Sequence, residues 1–274
     1  MQQFSRRFAA SLAASGIAAG EKVAILSGND PISFSCVFGI SRAGAVWCPI
    51  NPRNEAAENR DLLDLFDCRA LFFQKSYAPL VDQIKDALPQ LVTLVCIDGE
   101  WDSAQSLESW LGGEDELDAA APDDVTMLVG TGGTTGRPKG VMLTGHNIET
   151  MTAITLMSYP FEGRPVYLAL APLTHAAGVL CFPIMALGGE VVIMPKPDLG
   201  YFLANVQKHK VTHTFLPPTL IYMLLEHEAL SATDLSSLQC FWYGAAPISP
   251  DQTRGGDRQD RPGHGSAVRQ SEAP

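Results

Sequence analysis

Short apolar runs alternate with longer amphipathic segments along most of the chain. The runs that predict strands are 22–26, 45–50, 70–73, 91–97, 125–129, 166–170, 190–194, 211–216 and 238–243. The segments with helical periodicity lie near 31–44, 56–66, 78–87, 146–157, 200–209 and 217–228. Strands that are apolar on both faces and alternate with helices are typical of parallel sheets covered by helices. The pattern therefore predicts an α/β fold with parallel β-sheets flanked by helices.

The N-terminal segment MQQFSRRFAASLAASGIAAG carries two arginines before an alanine-rich stretch, as export signals do. However, Phe4, Phe8 and Leu12 recur every four residues, which predicts the apolar face of a helix. The residues GEK then lead directly into the first predicted strand. We therefore interpret this segment as an amphipathic helix and expect a cytoplasmic protein.

One long segment without a strand or helix pattern lies near the middle of the chain. It runs from Gly99 to Asp124, is rich in acidic residues and contains glycine. Such a composition is typical of a surface connection between packed units. We therefore predict two subdomains, at about 1–120 and 121–250, joined by this segment.

The last part of the chain, 251–274, departs from the alternating pattern. Only Ala267, Val268 and Ala273 are apolar there, prolines apart, and no aromatic residue occurs. Without a helical or strand period, such a segment cannot bury enough apolar surface to pack. We expect this tail to form no helix or strand and to be disordered.

The composition is that of a packed globular protein. Of the 274 residues, 46% are hydrophobic and 18% are charged, so a sizeable core can form. The formal net charge of −11 excludes a protein that collects nucleic-acid phosphates on a basic surface. No run of about 18 apolar residues is present to span a bilayer. The six cysteines form no C-x-x-C pair and lie mostly in apolar runs, which predicts buried, reduced thiols.

The segment TGGTTGRPKG, residues 131–140, combines glycines, hydroxyl groups and one lysine. We expect it to connect a strand to a helix, where backbone N–H groups, hydroxyls and an ammonium group can bind phosphate. It is not a Walker A loop, because Arg137 and Pro138 separate Gly136 from Lys139 and no Ser or Thr follows the lysine. It contains no G-x-G-x-x-G dinucleotide fingerprint either. On composition alone, a plain solvated linker stays open as the alternative.

The order of residues in this loop adds a resemblance to a known family. T-x-G-T-T-G-x-P-K-G-V, residues 131–141, resembles the phosphate-binding signature of the adenylate-forming enzymes, the acyl-CoA synthetase and ligase superfamily. The resemblance extends from about residue 4 to 250 and implies an AMP-binding N-terminal domain of two related βαβ-type subdomains, with the C-terminal lid domain absent. Four other segments carry it: RAGAVWCPINPR (42–53), APLTHAAG (171–178), VTHTFLPPTLIYMLL (211–225) and YGAAPIS (243–249).

The loop region departs from the family in three places. Gly130 and Gly132 stand where the family often has an aromatic residue and a serine, and Gly145 stands where it usually has histidine. We expect a more flexible loop with one hydroxyl donor fewer, in which backbone N–H groups carry most of the phosphate contacts.

The resemblance implies that a carboxylate attacks the α-phosphorus of ATP, which gives an acyl-adenylate and pyrophosphate. The thiol of coenzyme A then displaces AMP. Mg²⁺ and positioned donors must neutralise the charge that develops on the leaving pyrophosphate. Lys139 is implied to pair with the terminal phosphate and, with His175, to be catalytic. The implied phosphate-binding residues are Thr131, Gly132, Gly133, Thr134, Thr135, Gly136 and Lys139.

Two further segments are implied to line the substrate pocket. His175, in the P-L-T-H stretch, is implied to lie beside the substrate carboxylate, although a lone histidine in such a place is more often structural. Small side chains suit a place where a flat ring lies against backbone. The residues implied to separate the adenine site from the acyl pocket are Gly244, Ala245, Ala246 and Pro247.

The final residues of the tail, QSEAP, resemble the second half of the family's [YF]-G-x-[ST]-E motif, which implies Glu272 as a Mg²⁺ ligand. Val268 and Arg269 stand where that motif has an aromatic residue and glycine, and 254–268 resemble nothing in the family. A reading-frame disturbance would account for this mixture, and a genuine but unusual tail is the alternative. Resequencing the locus distinguishes the two explanations. An undisturbed reading frame, with no family-like helix encoded in any other frame, would refute the reading-frame disturbance.

Several alternatives for the function stay open. The apolar segments between 170 and 250 favour a fatty or other hydrophobic acid, with an aryl acid as the nearest alternative. A non-catalytic ATP-binding protein and a purely structural α/β domain are the rivals from other classes. Because the family's lid residues cannot be assigned, we expect weak or no ligase turnover from this chain alone. ATP, Mg²⁺ and coenzyme A are the expected cosubstrates; oligomeric state and peripheral membrane contact stay open.

Overall fold

The computed structural model describes residues 1–112, 124–131 and 139–244, together with the backbone of 269–272. The chain divides into two compact units, Met1–Glu149 and Thr150–Pro274. Within each, a mostly parallel sheet is flanked by helices, so the predicted α/β class is confirmed. All nine predicted strands are present with ends within two residues of the predicted ones.

The first unit is built on a seven-stranded sheet with the order β5-β4-β3-β1-β2-β6-β7. All of its neighbouring strands are parallel except β6 and β7, which are antiparallel. Its strands are β1 Lys22–Leu26, β2 Val46–Ile50, β3 Cys68–Phe73, β4 Thr93–Cys96, β5 Gln105–Ser106, β6 Val125–Thr131 and β7 Lys139–Thr144. Its helices are α1 Gln2–Ala14, α2 Pro31–Arg42, α3 Ala56–Leu65, α4 Ala78–Ile84 and α5 Leu107–Trp110, and α6 Gly145–Ser158 contains the division between the units.

The second unit is built on a parallel five-stranded sheet with the order β12-β11-β10-β8-β9. Its strands are β8 Val166–Ala169, β9 Glu190–Ile193, β10 His213–Leu216, β11 Cys240–Tyr243 and β12 Arg269–Glu272. Its helices are α7 Ala176–Val179, α8 Cys181–Ala186, α9 Leu199–His209 and α10 Pro218–Leu225. Short 3₁₀ turns lie at Lys75–Tyr77, Lys85–Ala87 and Glu228–Ala232.

Local sequence signals explain where the helices begin and end. The Asp30 carboxylate accepts a hydrogen bond from the Ser33 N–H at 2.7 Å, and Pro31 occupies the first turn of α2. Asp198 caps α9 in the same way, through the Tyr201 N–H at 2.7 Å. Lys210 then ends α9 in the left-handed conformation, with φ 51°.

The N-terminal segment is a helix, as its four-residue spacing predicts. Phe8 and Leu12 of α1 are fully buried. The Phe8 ring packs at 4.8 Å from that of Phe72 on β3, measured between ring centroids. An aromatic side chain on one face of α1 thus packs the helix against the sheet of the first unit. All six cysteines are buried and free, as predicted.

The segment from 99 to 124 is more than the surface connection that we expect from its composition. It contains β5 and α5, and Trp110 at the end of α5 is buried against the Phe8 and Phe72 rings, with its ring centroid 4.9 Å from each of theirs. The Trp110 indole N–H donates to the Ser15 hydroxyl at 2.9 Å. This part therefore belongs to the first unit, which continues through β6 and β7 to Glu149, beyond the predicted boundary near residue 120.

The prediction that the loop joins a strand to a helix is wrong. The structure places it between β6 and β7, an antiparallel pair, and α6 begins only after β7. The residues VML after the loop are too few to signal a strand on their own. They become strand because β6 offers its free edge to them.

The prediction that the tail forms no strand is wrong for four of its residues. Arg269–Glu272 is β12, which pairs in parallel with β11. Strand pairing uses main-chain N–H and C=O groups, which every non-proline residue carries whatever its side chain. The lack of apolar residues therefore did not prevent an edge strand. The rest of the tail lies outside the described residues.

Candidate functional site

The two ends of the phosphate-loop candidate face each other across the β6–β7 hairpin. Thr131, the last residue of β6, is the register partner of Lys139, the first residue of β7. In an antiparallel pair, such partners have Cα atoms roughly 4.5–5.5 Å apart. Both side chains are exposed. The hairpin thus brings a hydroxyl-bearing and an ammonium-bearing residue together at the end where the loop connects its strands. The predicted phosphate-binding residues Gly132, Gly133, Thr134, Thr135 and Gly136 lie outside the described residues.

His175 is held by a compact turn after β8. Its N–H donates to the Pro172 carbonyl at 3.2 Å, and its carbonyl accepts from the Gly178 N–H at 2.9 Å. Gly178 is pressed so closely on the backbone of Leu173 that an added Cβ would overlap the Leu173 carbonyl oxygen. The glycine of the A-P-L-T-H-A-A-G segment is therefore required for space, and it lets the turn close under His175.

The electrostatic setting of His175 favours a neutral ring. Its side chain is exposed, yet the residues around it remove enough water to lower the pKa below the usual histidine value, against the opposing effect of a hydrogen bond to the Thr174 backbone. Since that usual value is already near 6.5, the neutral form of the imidazole predominates at pH 7. A neutral imidazole can donate one hydrogen bond to a carboxylate and accept another.

Thr174 is a polar residue of this turn that the motif comparison does not single out. Its Oγ1 atom is buried and has no hydrogen-bond partner among the described residues. Buried hydroxyls in folded proteins are nearly always paired, with protein, water or ligand. The signal available in the sequence is its place directly before His175.

A second histidine of the unit, His213 on β10, has a structural role. Its Nε2 donates to the Pro160 carbonyl at 2.9 Å, and its Nδ1 lies 2.7 Å from the Thr212 hydroxyl. The ring is fully buried and stacks on Phe161 with ring centroids 4.4 Å apart. Burial lowers the pKa of His213 to about 4, although the bond to Pro160 acts in the opposite direction.

We expect His213 to make the unfolding free energy fall with acid. Its folded pKa, about 4, lies below the ordinary value of 6.5, so the fold favours the neutral ring. That contribution is complete above about pH 6.5 and is lost as the pH falls towards 4, with a slope of at most about 1.4 kcal/mol per pH unit. His213→Gln cannot titrate and should flatten this part of the profile. Urea unfolding of both proteins across this range tests it, and equal slopes contradict it.

Two further predicted site residues, Gly244 and Glu272, lie at the carboxyl edge of the second sheet. Gly244 is buried and directly follows Tyr243, the last residue of β11, while the segment carrying His175 leaves the same edge after Ala169 of β8. Glu272 is the register partner of Tyr243 at the end of β12. In parallel α/β sheets, ligands bind beyond this edge. Ala245, Ala246 and Pro247 lie outside the described residues.

The described residues assemble no ready metal centre. Nowhere in the described ranges do three or more His, Cys, Asp or Glu side chains come together as metal ligands. Mg²⁺ in phosphate-transferring sites commonly uses only one or two carboxylates and takes substrate phosphates as further ligands. A single glutamate at position 272 fits that smaller requirement.

None of the helices in the described ranges has the length and apolarity that crossing a bilayer needs.

Comparison with known families decides the assignment. The AMP-binding enzyme family matches residues 1–255, which include all of the first unit and the second unit up to the start of the tail. The chain belongs to the AMP-binding enzyme family. Among solved structures, this AMP-binding chain is similar to the N-terminal domain of FACL13 from Mycobacterium tuberculosis. That likeness has a TM-score of 0.88 at 23% identity and covers 98% of this chain and 66% of the other.

Two curated relatives of this AMP-binding enzyme act on different acids, as their names state. A medium/long-chain-fatty-acid–CoA ligase, FadD8 from Mycobacterium tuberculosis, is 30% identical over 290 residues, covering 100% of this chain and 49% of FadD8. A feruloyl-CoA synthase from Amycolatopsis sp. is 32% identical over 247 residues, covering 89% of this chain and 48% of the relative. The chain thus spans about half the length of these relatives, whose names state different acids.

Proposed function

We propose that this chain carries the ATP-binding part of an acid–thiol ligase that converts a hydrophobic carboxylic acid, of fatty-acid type, to an acyl-adenylate and then to acyl-CoA. The observation that carries the proposal is the pairing of Thr131 with Lys139 at the loop end of the hairpin. This pair joins a hydroxyl and a cation at the two ends of the loop, whose residue order resembles the family's phosphate signature. We assign Lys139 to the terminal phosphate and Thr131, with the loop residues, to the β- and γ-phosphates.

The chemistry requires donors where charge develops. When the carboxylate attacks the α-phosphorus, the bond to pyrophosphate breaks and negative charge grows on the leaving group. An ammonium group and N–H donors held by a paired hairpin stabilise that charge without large reorganisation. Mg²⁺, when bound with ATP, would add charge neutralisation, and Glu272 is the residue that we propose as its protein ligand.

His175 is proposed to orient the acid. Its neutral imidazole offers one N–H donor for the substrate carboxylate and adds no cation to compete with Lys139 for phosphate. The turn around Gly178 fixes the His175 backbone. We place Gly244, Ala245, Ala246 and Pro247 between the adenine and acyl sites, and coenzyme A as the thiol that displaces AMP.

The apolar character of the second unit favours a fatty acid over an amino acid. Its core includes Leu, Ile, Val and Met side chains on β8, α9, α10 and the segments that follow the strands. A flat aryl acid is the alternative, and the feruloyl-CoA synthase relative favours it. A non-catalytic ATP-binding protein is the alternative from another class.

Acid-dependent pyrophosphate release distinguishes these functions. ATP–Mg²⁺ should raise the Tm of the 274-residue chain, since a ligand that binds only the folded state stabilises it. With ATP present, a fatty acid of medium or long chain should raise the Tm further. This increase should be larger than that caused by ferulic acid or by an amino acid. We expect little pyrophosphate from this chain, which spans half of its relatives, and acid-dependent release once the second half of FadD8 is fused behind residue 250. ATP stabilisation without release from the fusion favours the non-catalytic protein, and no ATP stabilisation contradicts the proposal.

A further inference from the structure

Two glycines stand opposite each other in the β6–β7 hairpin, one residue inside Thr131 and Lys139. Gly130 of β6 is the register partner of Gly140 of β7. Neither has a positive φ, so the backbone conformation does not demand glycine at either place. The reason lies in the space around them.

Both glycines lie against the end of helix α3. A Cβ added at Gly140 would come within 2.6 Å of Cε1 and 3.3 Å of Cζ of the Phe66 ring. A Cβ added at Gly130 would come within 2.9 Å of Cδ2 of Leu62. Leu62 and Phe66 are four residues apart and so share one side of α3. The hairpin therefore rests its backbone directly on two apolar side chains of the helix.

The direction of the neighbouring side chains follows from this contact. Successive residues of a strand point to opposite faces, so Thr131 and Lys139 point away from the face that Gly130 and Gly140 turn to α3. Leu128, two residues before Gly130, shares the α3 face and is buried in the same cluster as Leu62 and Phe66. One face of the hairpin is thus fixed to the core while the other presents the hydroxyl and the ammonium group.

We propose that Gly130 and Gly140 are positioning residues, which let α3 set the height and tilt of the hairpin and so place Thr131 and Lys139 for the triphosphate. The expected effect on ATP binding rests on the proposed function, whereas the contact between the two glycines and α3 does not. An added methyl group at position 140 must displace either α3 or the hairpin. Phe66 and Leu62 are only 5% and 6% exposed and packed in the core, whereas β7 is the edge strand beside β6 among the described strands and is exposed over its first four residues. The hairpin is the element that yields.

The two glycines differ in how much they tolerate. Gly130 meets the terminal methyl groups of Leu62, which can rotate, whereas Gly140 meets the rigid ring of Phe66. Gly140→Ala should therefore raise the Kd for ATP–Mg²⁺ by roughly tenfold to a hundredfold, since losing a hydrogen bond between a charged group and phosphate changes Kd by factors of that size. Gly130→Ala should have the smaller effect of the two.

Compensating variants test the proposal by titration calorimetry with ATP–Mg²⁺. Phe66→Leu removes the two clashing ring atoms, so Gly140→Ala with Phe66→Leu should recover a Kd near that of the wild type, even though Phe66→Leu lowers Tm. The matched control is Gly140→Ala with Leu62→Ala. This second change makes room at Gly130 and not at Gly140, so it should not recover affinity. An unchanged Kd for Gly140→Ala, or recovery by both second changes alike, overturns the proposal.

Hydrogen–deuterium exchange of peptides from 125–131 and 139–144, without nucleotide, separates this inference from the proposed function. Gly140→Ala should speed exchange in the hairpin, and Phe66→Leu should slow it again. If the wild type binds no ATP, the proposed function fails, and the exchange data alone decide whether α3 positions the hairpin. Unchanged exchange in Gly140→Ala overturns the positioning claim in either case.

Discussion

Lys139→Ala is expected to weaken binding of ATP–Mg²⁺ by roughly thirtyfold. A hydrogen bond to a charged group contributes about 2 kcal/mol, which corresponds to that factor in Kd. Lys139 begins β7 opposite Thr131, so its ammonium group has a fixed base from which to reach a phosphate. Its side chain is exposed, and its removal should leave Tm without ligand nearly unchanged. Titration calorimetry and a thermal melt of the same protein measure the two effects.

Two matched variants show whether the effect belongs to this position. Lys139→Arg keeps the positive charge and should retain part of the affinity, although a planar guanidinium does not reproduce an ammonium point charge. Lys208→Ala removes an exposed lysine from the last turn of α9 and should leave Kd unchanged. Equal losses in Lys139→Ala and Lys208→Ala would mean that only overall charge matters.

Gly178→Ala is expected to destabilise the second unit by about 3 kcal/mol and to lower Tm by roughly 10 °C. The added Cβ would overlap the Leu173 carbonyl oxygen, and backbone cannot rotate away as a side chain can. The turn must open to make room, which moves His175 because its carbonyl accepts from the Gly178 N–H. Urea unfolding at pH 7 measures the loss.

The same substitution at another glycine of the unit provides the control. Gly200 lies in the first turn of α9, where an added Cβ meets only ordinary contacts, the nearest at 3.5 Å from the Asp198 carboxylate. Gly200→Ala should therefore be neutral or stabilise by up to about 1 kcal/mol, because alanine restricts the unfolded chain. A loss at Gly178 no larger than that at Gly200 would show that the turn tolerates a side chain.

Periodicity predicted the buried strands well because their apolar character does not depend on distant partners. The run KVAIL became β1 at the predicted residues, 22–26. Its central position in the sheet requires apolar residues on both faces, which the sequence displays directly. The amphipathic α1 was equally visible, since Phe8 and Leu12 must face one core.

Elements that depend on a partner could not be read from the sequence alone. β7 is exposed over its first four residues and is a strand because β6 lies beside it. α5 is only four residues long, and Trp110 is buried through Phe8 and Phe72, which lie far away in sequence. β12 carries no apolar pattern and exists through main-chain pairing to β11.

For the candidate site, residue order indicated the family, while geometry supplied the reasons for particular glycines. The motif singled out Lys139 and His175, and both remain predictions as site residues. It treated Gly130 as a departure from the family, whereas the structure shows Gly130 packed against Leu62. Close approaches between segments distant in sequence, such as α3 and the hairpin, leave no local signal.

Comparing the affinities of ATP and AMP tests most directly whether the β6–β7 hairpin grips a triphosphate. With Mg²⁺ present, the wild-type chain should bind ATP at least about tenfold more tightly than AMP, because only ATP carries the β- and γ-phosphates that Lys139 and Thr131 are proposed to contact. The difference should largely disappear in Lys139→Ala. Equal affinities of the wild type for ATP and AMP would contradict the account.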